Sequence, residues 1–167
     1  MSDPGTSQAV KAKSTQGANK YLTFVLGEEQ YGIEILKVRE IIGVMEITVV
    51  PHTPSFIKGV INLRGRVIPI IDLRLKFEMG SRDYDERTCI IVVDVHGGSI
   101  LVGMVVDSVS EVLNVVAKDI EPPPSFGSRL GDSTSILGMA KVNSEVTILV
   151  DVDKVVGKGI DLQFSEH

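Results

Sequence analysis

The sequence predicts an all-β domain with only short helices. Short apolar segments recur along the chain and are separated by turn residues about every 8–12 positions, a spacing typical of a β-barrel or β-sandwich. Valine and isoleucine dominate these segments, whereas aromatic residues are scarce at 5% and tryptophan is absent, a composition that favours sheets over helices. A hydrophobic content of 43% over 167 residues is enough to bury a core, so we expect one domain or two small, closely packed units.

The fold is predicted to begin after a polar tail. Residues 1–20 are rich in Ser, Thr, Gln, Gly and Lys without hydrophobic periodicity, so we expect a disordered N-terminal tail. Residues 21–26 then predict a strand that forms a hairpin with "QYGIEI". Ile35 and Leu36 place apolar side chains on successive residues, which predicts a bulge or bend.

The strand that follows this bend offers a candidate recognition surface. On a regular strand Val38 and Glu40 would fall on one side and Ile41 on the other. A bend near Ile35 would direct all three outward, and such a mixture of apolar and charged side chains suits protein recognition. An ordinary half-buried strand fits the same residues equally well.

The next segments predict a strand and a short helix. "GVMEITVVP" has the β-branched content of a strand. "HTPSFIKGV" follows as a short helix, with Thr53 as its N-cap, proline in its first turn and Gly59 at its end. His52 beside it has no second ligand at metal spacing, which favours a structural role.

The chain is organised around the stretch "KGVINLRGRVIPIIDLRLKF", residues 58–77. Residues 67–71 predict a strand buried on both faces, although Pro69 indicates an edge or bulge and therefore incomplete pairing. Just before it, a turn displays Arg64 and Arg66. A rigid loop that carries arginine is a candidate binding site, but a solvated basic surface is the alternative.

The second half predicts a short helical segment, a polar loop and further strands. Residues 89–95 form a buried strand, and residues 99–116 a long strand, bent at Gly103, that can serve two sheets. Three prolines then stiffen a loop in which Phe126 either plugs the core or anchors a partner. A hairpin through residues 143–145 closes the domain, and a C-terminal tail at 157–167 leaves room for one helical turn.

Composition and motifs argue against several function classes. The net charge of −5 disfavours general nucleic-acid binding. No signal peptide or membrane span is recognisable, and the single Cys89 suits a reducing cytoplasm. No catalytic constellation is present, and Asp151 and Asp153 are better explained as solvent-facing side chains than as a metal pair. We therefore expect a cytoplasmic protein that is not an enzyme and has no cofactor or metal.

Three motifs in order, "YGIEILKVREII", "GVINLRGRVIPIIDLR" and "VGMVVDSVSEVL", resemble the CheW family of bacterial chemotaxis. The resemblance covers residues 21–156. It implies two intertwined five-stranded SH3-like β-barrels with a groove between them. It also implies a non-catalytic adaptor that binds the cytoplasmic tip of chemoreceptors and the regulatory domain of a CheA-type histidine kinase. Such an adaptor would be a monomer alone and part of a large membrane-associated array when assembled, without inserting into the membrane.

The resemblance also implies individual sites. Phe126 matches the aromatic that links adaptor and kinase into rings, and the main kinase-docking face stays unassigned. Arg66 is an extra charge beside the family arginine, and Ser108 stands where glycine is frequent. The positions that match the receptor contacts of the family are Val38, Glu40, Ile41, Arg64 and Gly103.

Other interpretations remain at this point. The same module forms the C-terminal domain of CheA, although a length of 167 residues favours a separate adaptor over a kinase. The chain could also be a stand-alone regulatory domain or the adaptor of a related signalling array outside chemotaxis. A small-ligand-binding barrel would instead be stabilised by one specific metabolite.

Overall fold

The computed structural model describes residues 18–98, 100–123 and 135–157, and its strands form two sheets. The six-stranded sheet combines the first two strands of the described chain with its last four. Its strands are β1 (Ala18–Leu26), β2 (Glu29–Glu34), β8 (Ser108–Val116), β9 (Ile120–Glu121), β10 (Ile136–Val142) and β11 (Glu145–Val150), arranged β8-β1-β2-β11-β10-β9.

The middle of the chain forms the five-stranded sheet. Its strands are β3 (Val38–Gly43), β4 (Ile57–Leu63), β5 (Arg66–Asp72), β6 (Cys89–Val95) and β7 (Ile100–Val106), arranged β3-β6-β7-β5-β4. The helices are the 3-10 helices Ile35–Lys37 and Ala117–Asp119, and α1 (Leu73–Lys76) and α2 (Val152–Val156). Among the residues that the structure describes, none of these helices has the length and apolar character needed to cross a membrane.

The two sheets are intertwined because the chain leaves the six-stranded sheet after β2 and returns to it at β8. Parallel pairing of β2 with β11, and of β5 with β7, completes each sheet. The long strand predicted for residues 99–116 is divided into β7 and β8. Because β7 lies in the five-stranded sheet and β8 in the six-stranded sheet, the prediction that this segment serves two sheets is confirmed. The break lies at Asp107, not at the predicted Gly103. The all-β fold class is confirmed, with the two-residue β9 as a sixth strand where five were expected.

Three clusters of buried residues form the core. The main core lies between the sheets and combines, for example, Phe24 and Ile33 with Ile71 and Met104. A second cluster lies on the other face of the five-stranded sheet, which we call the inner core: Ile61, Ile68, Ile70, Ile90, Val92 and Val105. A third, small cluster inside the six-stranded sheet includes Tyr21 and Leu149. Branched aliphatic residues dominate, as the composition predicted.

The predictions for residues 44–59 were wrong. The segment expected to be a strand makes only one β-bridge, between Thr48 and Val60. The segment expected to be a helix contains turns and then the start of β4. Thr53 does not cap a helix, because its hydroxyl donates to the carbonyl of Val50 at 2.9 Å. Gly59 lies inside β4 with a φ of 143°, which only glycine adopts easily.

Strand β5 has the incomplete pairing that Pro69 predicted. Pro69 pairs with β4, whereas pairing of β5 with β7 begins only at Ile70. Proline has no backbone N–H to donate, and it lies just before the residues that pair with β7. Residues 68–71 are buried, but Val67 is 68% exposed, so burial on both faces holds for only part of the predicted strand. At the other end of the fold, β1 begins at Ala18, inside the predicted tail.

Candidate functional site

The hairpin formed by β4 and β5 displays Arg64 at its tip. Its two-residue loop is Arg64-Gly65, with φ values of 51° and 88°, as in a type I′ turn. Asn, Asp or Gly usually occupies the first position, because other residues pay about 1 kcal/mol or more in this left-handed region. An arginine here is strained, and strain of this kind is concentrated at functional sites.

The guanidinium of Arg64 turns back onto β3, where Nη2 donates to Oε1 of Glu40. The contact joins β3 and the end of β4, the two edge strands of the five-stranded sheet. The hydrogen bond and the charge of Arg64 lower the pKa of the Glu40 carboxyl, and Glu40 in turn raises the pKa of Arg64. Because a guanidinium has five N–H donors and its side chain is 69% exposed, Arg64 keeps donors available for a partner.

A β-bulge in β3 distributes the predicted recognition residues over two faces. Val38 pairs with Val93 of β6, and Glu40 pairs with the adjacent Val92, which leaves Arg39 as the extra residue. Paired residues point to the same side of a sheet. Val38 therefore faces the main core and Glu40 the inner core, so the expectation that they share a side was wrong.

Val38 and Ile41 differ in accessibility. Val38 is half-buried and packs against the main core. Ile41 pairs with Ile91 at the margin of that core and is 43% exposed. The predicted bend near Ile35 is present as the 3-10 helix Ile35–Lys37. The structure therefore brings Glu40 and Arg64 into direct contact, leaves Ile41 accessible on the opposite face of β3 and holds Val38 partly buried.

Gly103 lies in the middle of the five-stranded sheet, not on its surface. Glu40, Val92, Gly103 and Ile70 form one cross-strand row. Gly103 is buried, and a Cβ there would lie 2.5 Å from Ile70 Cδ1 and 2.8 Å from Ile90 Cγ2. Gly103 therefore affects the site indirectly. Because it has no side chain, Ile70 and Ile90 of the inner core can pack closely against the cross-strand row that includes Glu40. A direct receptor contact by Gly103 stays a prediction.

Gly59 contributes to the site, and sequence reasoning missed this role. A Cβ at Gly59 would lie 2.0 Å from the backbone oxygen of Thr48. The close approach lets Thr48 and Val60 exchange backbone hydrogen bonds of 2.8 and 2.9 Å, which join the segment after β3 to β4. This bridge links the chain that follows β3 to β4, so the two edge strands of the five-stranded sheet are connected at this point. A glycine within an apolar strand pattern was the available signal.

The other basic side chains near the arginine turn, Lys58, Arg74 and Lys76, have structural contacts. Arg74 binds Asp107, and Lys58 lies over the ring of Tyr84. Lys76 Nζ lies 4.2 Å from the centroid of the Phe56 ring, and burial lowers its pKa. Arg64 and Arg66 are the exposed members of this basic group, and both lie on the hairpin.

Asp107 organises a second polar cluster that the sequence did not indicate. Its carboxylate accepts hydrogen bonds from Arg74 Nε at 2.8 Å and Nη2 at 2.9 Å, from Arg82 Nη1 at 3.0 Å and from the Gly27 N–H at 2.8 Å. Its own N–H donates to the Val25 carbonyl at 3.1 Å. The cluster fixes the point where the chain crosses from one sheet to the other.

The acidic pair near the C-terminus has structural roles and is not simply solvent-facing. Asp151 caps α2 by accepting from the N–H groups of Asp153 and Lys154. Asp153 accepts from Lys37 Nζ at 3.2 Å and from the His96 N–H at 2.9 Å. A cavity of about 150 Å³ beside them is lined by these carboxylates, by Glu34 and Lys37 and by aliphatic side chains. Within the described ranges, no group of three His, Cys, Asp or Glu residues is arranged to hold a metal.

Some predicted features lie outside the described residues. They are Phe126 and most of its proline-rich loop, most of the N-terminal tail and the C-terminal tail beyond residue 157. The role of Phe126 therefore stays a prediction. The remaining candidate, His52, is exposed in a turn with a φ of 64°, and the structural role expected of it stays a prediction.

Comparison with known proteins identifies the family. A family model described as the CheW-like domain matches residues 20–159. The chain is similar to the chemotaxis protein CheW of Klebsiella aerogenes, with 43% identity over 151 residues that cover 90% of this chain and 89% of that protein. It is also similar to the chemotaxis protein CheW of Rhizobium meliloti, with 36% identity and coverage of 84% and 89%. Protein FrzA of Myxococcus xanthus is 30% identical, with coverage of 91% and 92%.

A solved structure shows the same architecture. The crystal structure of scaffolding protein TtCheW from Thermoanaerobacter tengcongensis matches with a TM-score of 0.75 and 37% identity, covering 82% of this chain and 91% of that one. Fold, motifs and relatives agree over nearly the whole described chain. The protein belongs to the CheW family of chemotaxis coupling proteins.

Proposed function

We propose that this chain couples chemoreceptors to a CheA-type histidine kinase by binding the receptor cytoplasmic tip and the kinase regulatory domain at the same time. It does so in the cytoplasm, as a non-catalytic scaffold within a receptor array. The observation that carries the proposal is Arg64, an exposed arginine held in a strained turn and oriented by Glu40. Membership of a family of chemotaxis proteins supports this assignment.

The receptor tip would bind along the edge strand β3, with Glu40 and Arg64 on one face of the strand and Ile41 on the other. Ile41 offers apolar area, and Arg64 offers donors to a carboxylate or to helix-terminal carbonyls. Glu40 reduces the rotamer freedom of Arg64 before binding, which lowers the entropy that association must overcome. Val38 and Gly103 support this surface from within the sheet.

Coupling would follow from rigidity. The two sheets share the main core, so surfaces on different parts of the molecule keep a fixed relative position. A receptor conformation that binds one surface better then biases the kinase held at another, which is a coupling free energy between two sites. The contribution of Phe126 to the kinase contact belongs to this proposal.

The test is co-sedimentation of the purified protein with receptor cytoplasmic fragments and a CheA kinase, followed by autophosphorylation of the kinase. The wild type should carry the kinase into the pellet and change its activity. Arg64→Glu should weaken receptor binding about tenfold or more, with little change in melting temperature, because exposed ion pairs add little stability.

A matched control is Lys141→Glu, which reverses an exposed cation paired with Glu121 on the six-stranded sheet. This control should leave receptor binding unchanged. Equal receptor affinity of wild type and Arg64→Glu would remove Arg64 from the site. Failure of the wild type to bind either partner would refute the coupling function itself.

A further inference from the structure

We propose that Asn62 is a positioning residue that holds Arg64 in its binding conformation. This inference rests on the proposed function, in which Arg64 contacts the receptor. Across the hairpin loop, Oδ1 of Asn62 accepts a hydrogen bond of 2.8 Å from the Gly65 N–H. Asn62 is itself exposed at the end of β4, so its side chain is not needed to fill a core.

The turn needs this support because of the residue it displays. Arg64 and Gly65 both have positive φ values, and a type I′ loop usually meets this demand with Asn, Asp or Gly in its first position. The arginine side chain has no acceptor, so it cannot close the turn by bonding a following N–H. An asparagine side chain can accept from an N–H a few residues on, and Asn62 supplies that acceptor from outside the loop.

The hydrogen bond also bears on the position of the guanidinium. The Arg64 side chain reaches Glu40 on β3 from this backbone conformation. If the Gly65 N–H lost its acceptor, the loop would have more freedom to leave the left-handed conformation, and the base of the arginine would move with it. Asn62 therefore acts on recognition through Arg64 rather than by touching the receptor.

A second hairpin in the same molecule provides a matched comparison. The loop between β10 and β11 is Asn143-Ser144, with φ values of 54° and 67°. There asparagine occupies the turn itself, as a type I′ loop prefers. Asn143→Ala therefore perturbs an equivalent turn on the six-stranded sheet, away from the hairpin that carries Arg64.

The experiment is a double-mutant cycle on receptor binding, with Asn62→Ala, Arg64→Ala and the double variant. Affinity for a receptor cytoplasmic fragment is measured by calorimetry at a temperature where all variants are folded. Asn62→Ala should weaken binding about fivefold, the effect of one lost hydrogen bond. The double variant should bind no more weakly than Arg64→Ala, because Asn62 acts only through Arg64.

Two further variants separate positioning from general stability. Asn62→Asp keeps an acceptor for the Gly65 N–H and should restore most of the affinity. Asn143→Ala should lower the melting temperature about as much as Asn62→Ala but leave affinity unchanged. Hydrogen exchange of the Gly65 amide should accelerate in Asn62→Ala and not in Asn62→Asp.

The outcomes distinguish this inference from the proposed function. If Arg64→Ala binds like the wild type, the receptor site is wrong and the role of Asn62 falls with it. If Arg64→Ala weakens binding but Asn62→Ala does not, or if the two losses simply add, Asn62 is no positioning residue and the proposed function stands.

Discussion

Arg74 donates two hydrogen bonds to the carboxylate of Asp107, at 2.8 and 2.9 Å, and so ties α1 to the crossing between the two sheets. The side chains are only 16% and 9% exposed. Removing one partner of such a pair leaves the other charge poorly solvated, which costs more than the pair contributes relative to apolar residues. This junction should therefore dominate the polar contribution to stability.

We predict that Asp107→Ala lowers the free energy of unfolding by about 3 kcal/mol, because Arg74, Arg82 and the Gly27 N–H lose their shared acceptor. Urea unfolding followed by circular dichroism measures this. Glu121→Ala, which removes an ion pair more than half exposed at both ends, should cost less than about 1 kcal/mol. Equal losses in the two variants would contradict the role assigned to Asp107.

The pH dependence of stability should report the same carboxylate. Burial alone would raise the pKa of Asp107, but hydrogen bonds from Arg74 and Gly27 lower it below its ordinary value. A lowered pKa in the folded state stabilises the protein above the unfolded pKa of about 4, and this stability is lost as pH falls through the folded pKa. Asp107→Asn should therefore show a shallower loss of stability below about pH 4 in urea titrations. Parallel pH curves for variant and wild type would refute this linkage.

Arg64→Asn should separate stability from recognition. It creates the Asn-Gly loop that a type I′ turn prefers, relieving about 1 kcal/mol of strain, while it removes an exposed ion pair worth less than about 1 kcal/mol. We expect a melting temperature equal to or above that of the wild type, together with weaker receptor binding. A clear drop in melting temperature would show that Arg64 serves the fold.

Gly103→Ala should destabilise the protein by about 2 kcal/mol, because the new methyl group overpacks the inner core against Ile70 and Ile90. Gly43→Ala is the control, since a Cβ at Gly43 meets nothing within 4 Å, and its cost should stay within about 0.5 kcal/mol. Receptor affinity of folded Gly103→Ala tests the groove directly. Unchanged affinity would restrict Gly103 to packing.

The strands that the sequence predicted well are those with their own local signal. The hairpin of β1 and β2, the apolar run of β6 and the hairpin of β10 and β11 all show turn residues between alternating or continuous apolar segments. Pro69 even indicated where the pairing of β5 would be incomplete. Hydrophobic pattern and turn chemistry are local properties, so a single sequence contains them.

The failures have a common physical cause, which is dependence on a distant partner. The β-branched residues near Thr48 resemble a strand, but the neighbouring backbone offers one bridge and no full ladder. Gly59 resembled a helix end because its close approach to Thr48 is visible only in three dimensions. Likewise, Asp107 is a single acidic residue after an apolar segment, and the neighbouring sequence does not indicate that it pairs with Arg74.

The candidate site was predictable only in part for the same reason. A positively charged turn at Arg64 follows from the residues themselves. The other receptor positions came from resemblance to a family, and the bulge at Arg39 that turns Val38 and Glu40 to opposite faces depends on the register with β6. Register is a tertiary property, because it is set by which side of the neighbouring strand must be buried.

The return of the chain to its first sheet has a consequence for synthesis on the ribosome. Strand β2 is synthesised early, but its parallel neighbour β11 is synthesised much later. The side-chain hydrogen bond of Gln30 to Thr147, for example, can form only after 117 further residues have been added. The strands of the five-stranded sheet are all translated in between. The edge of β2 in the nascent chain must therefore stay unpaired, and avoid pairing with other strands, until β11 has been synthesised.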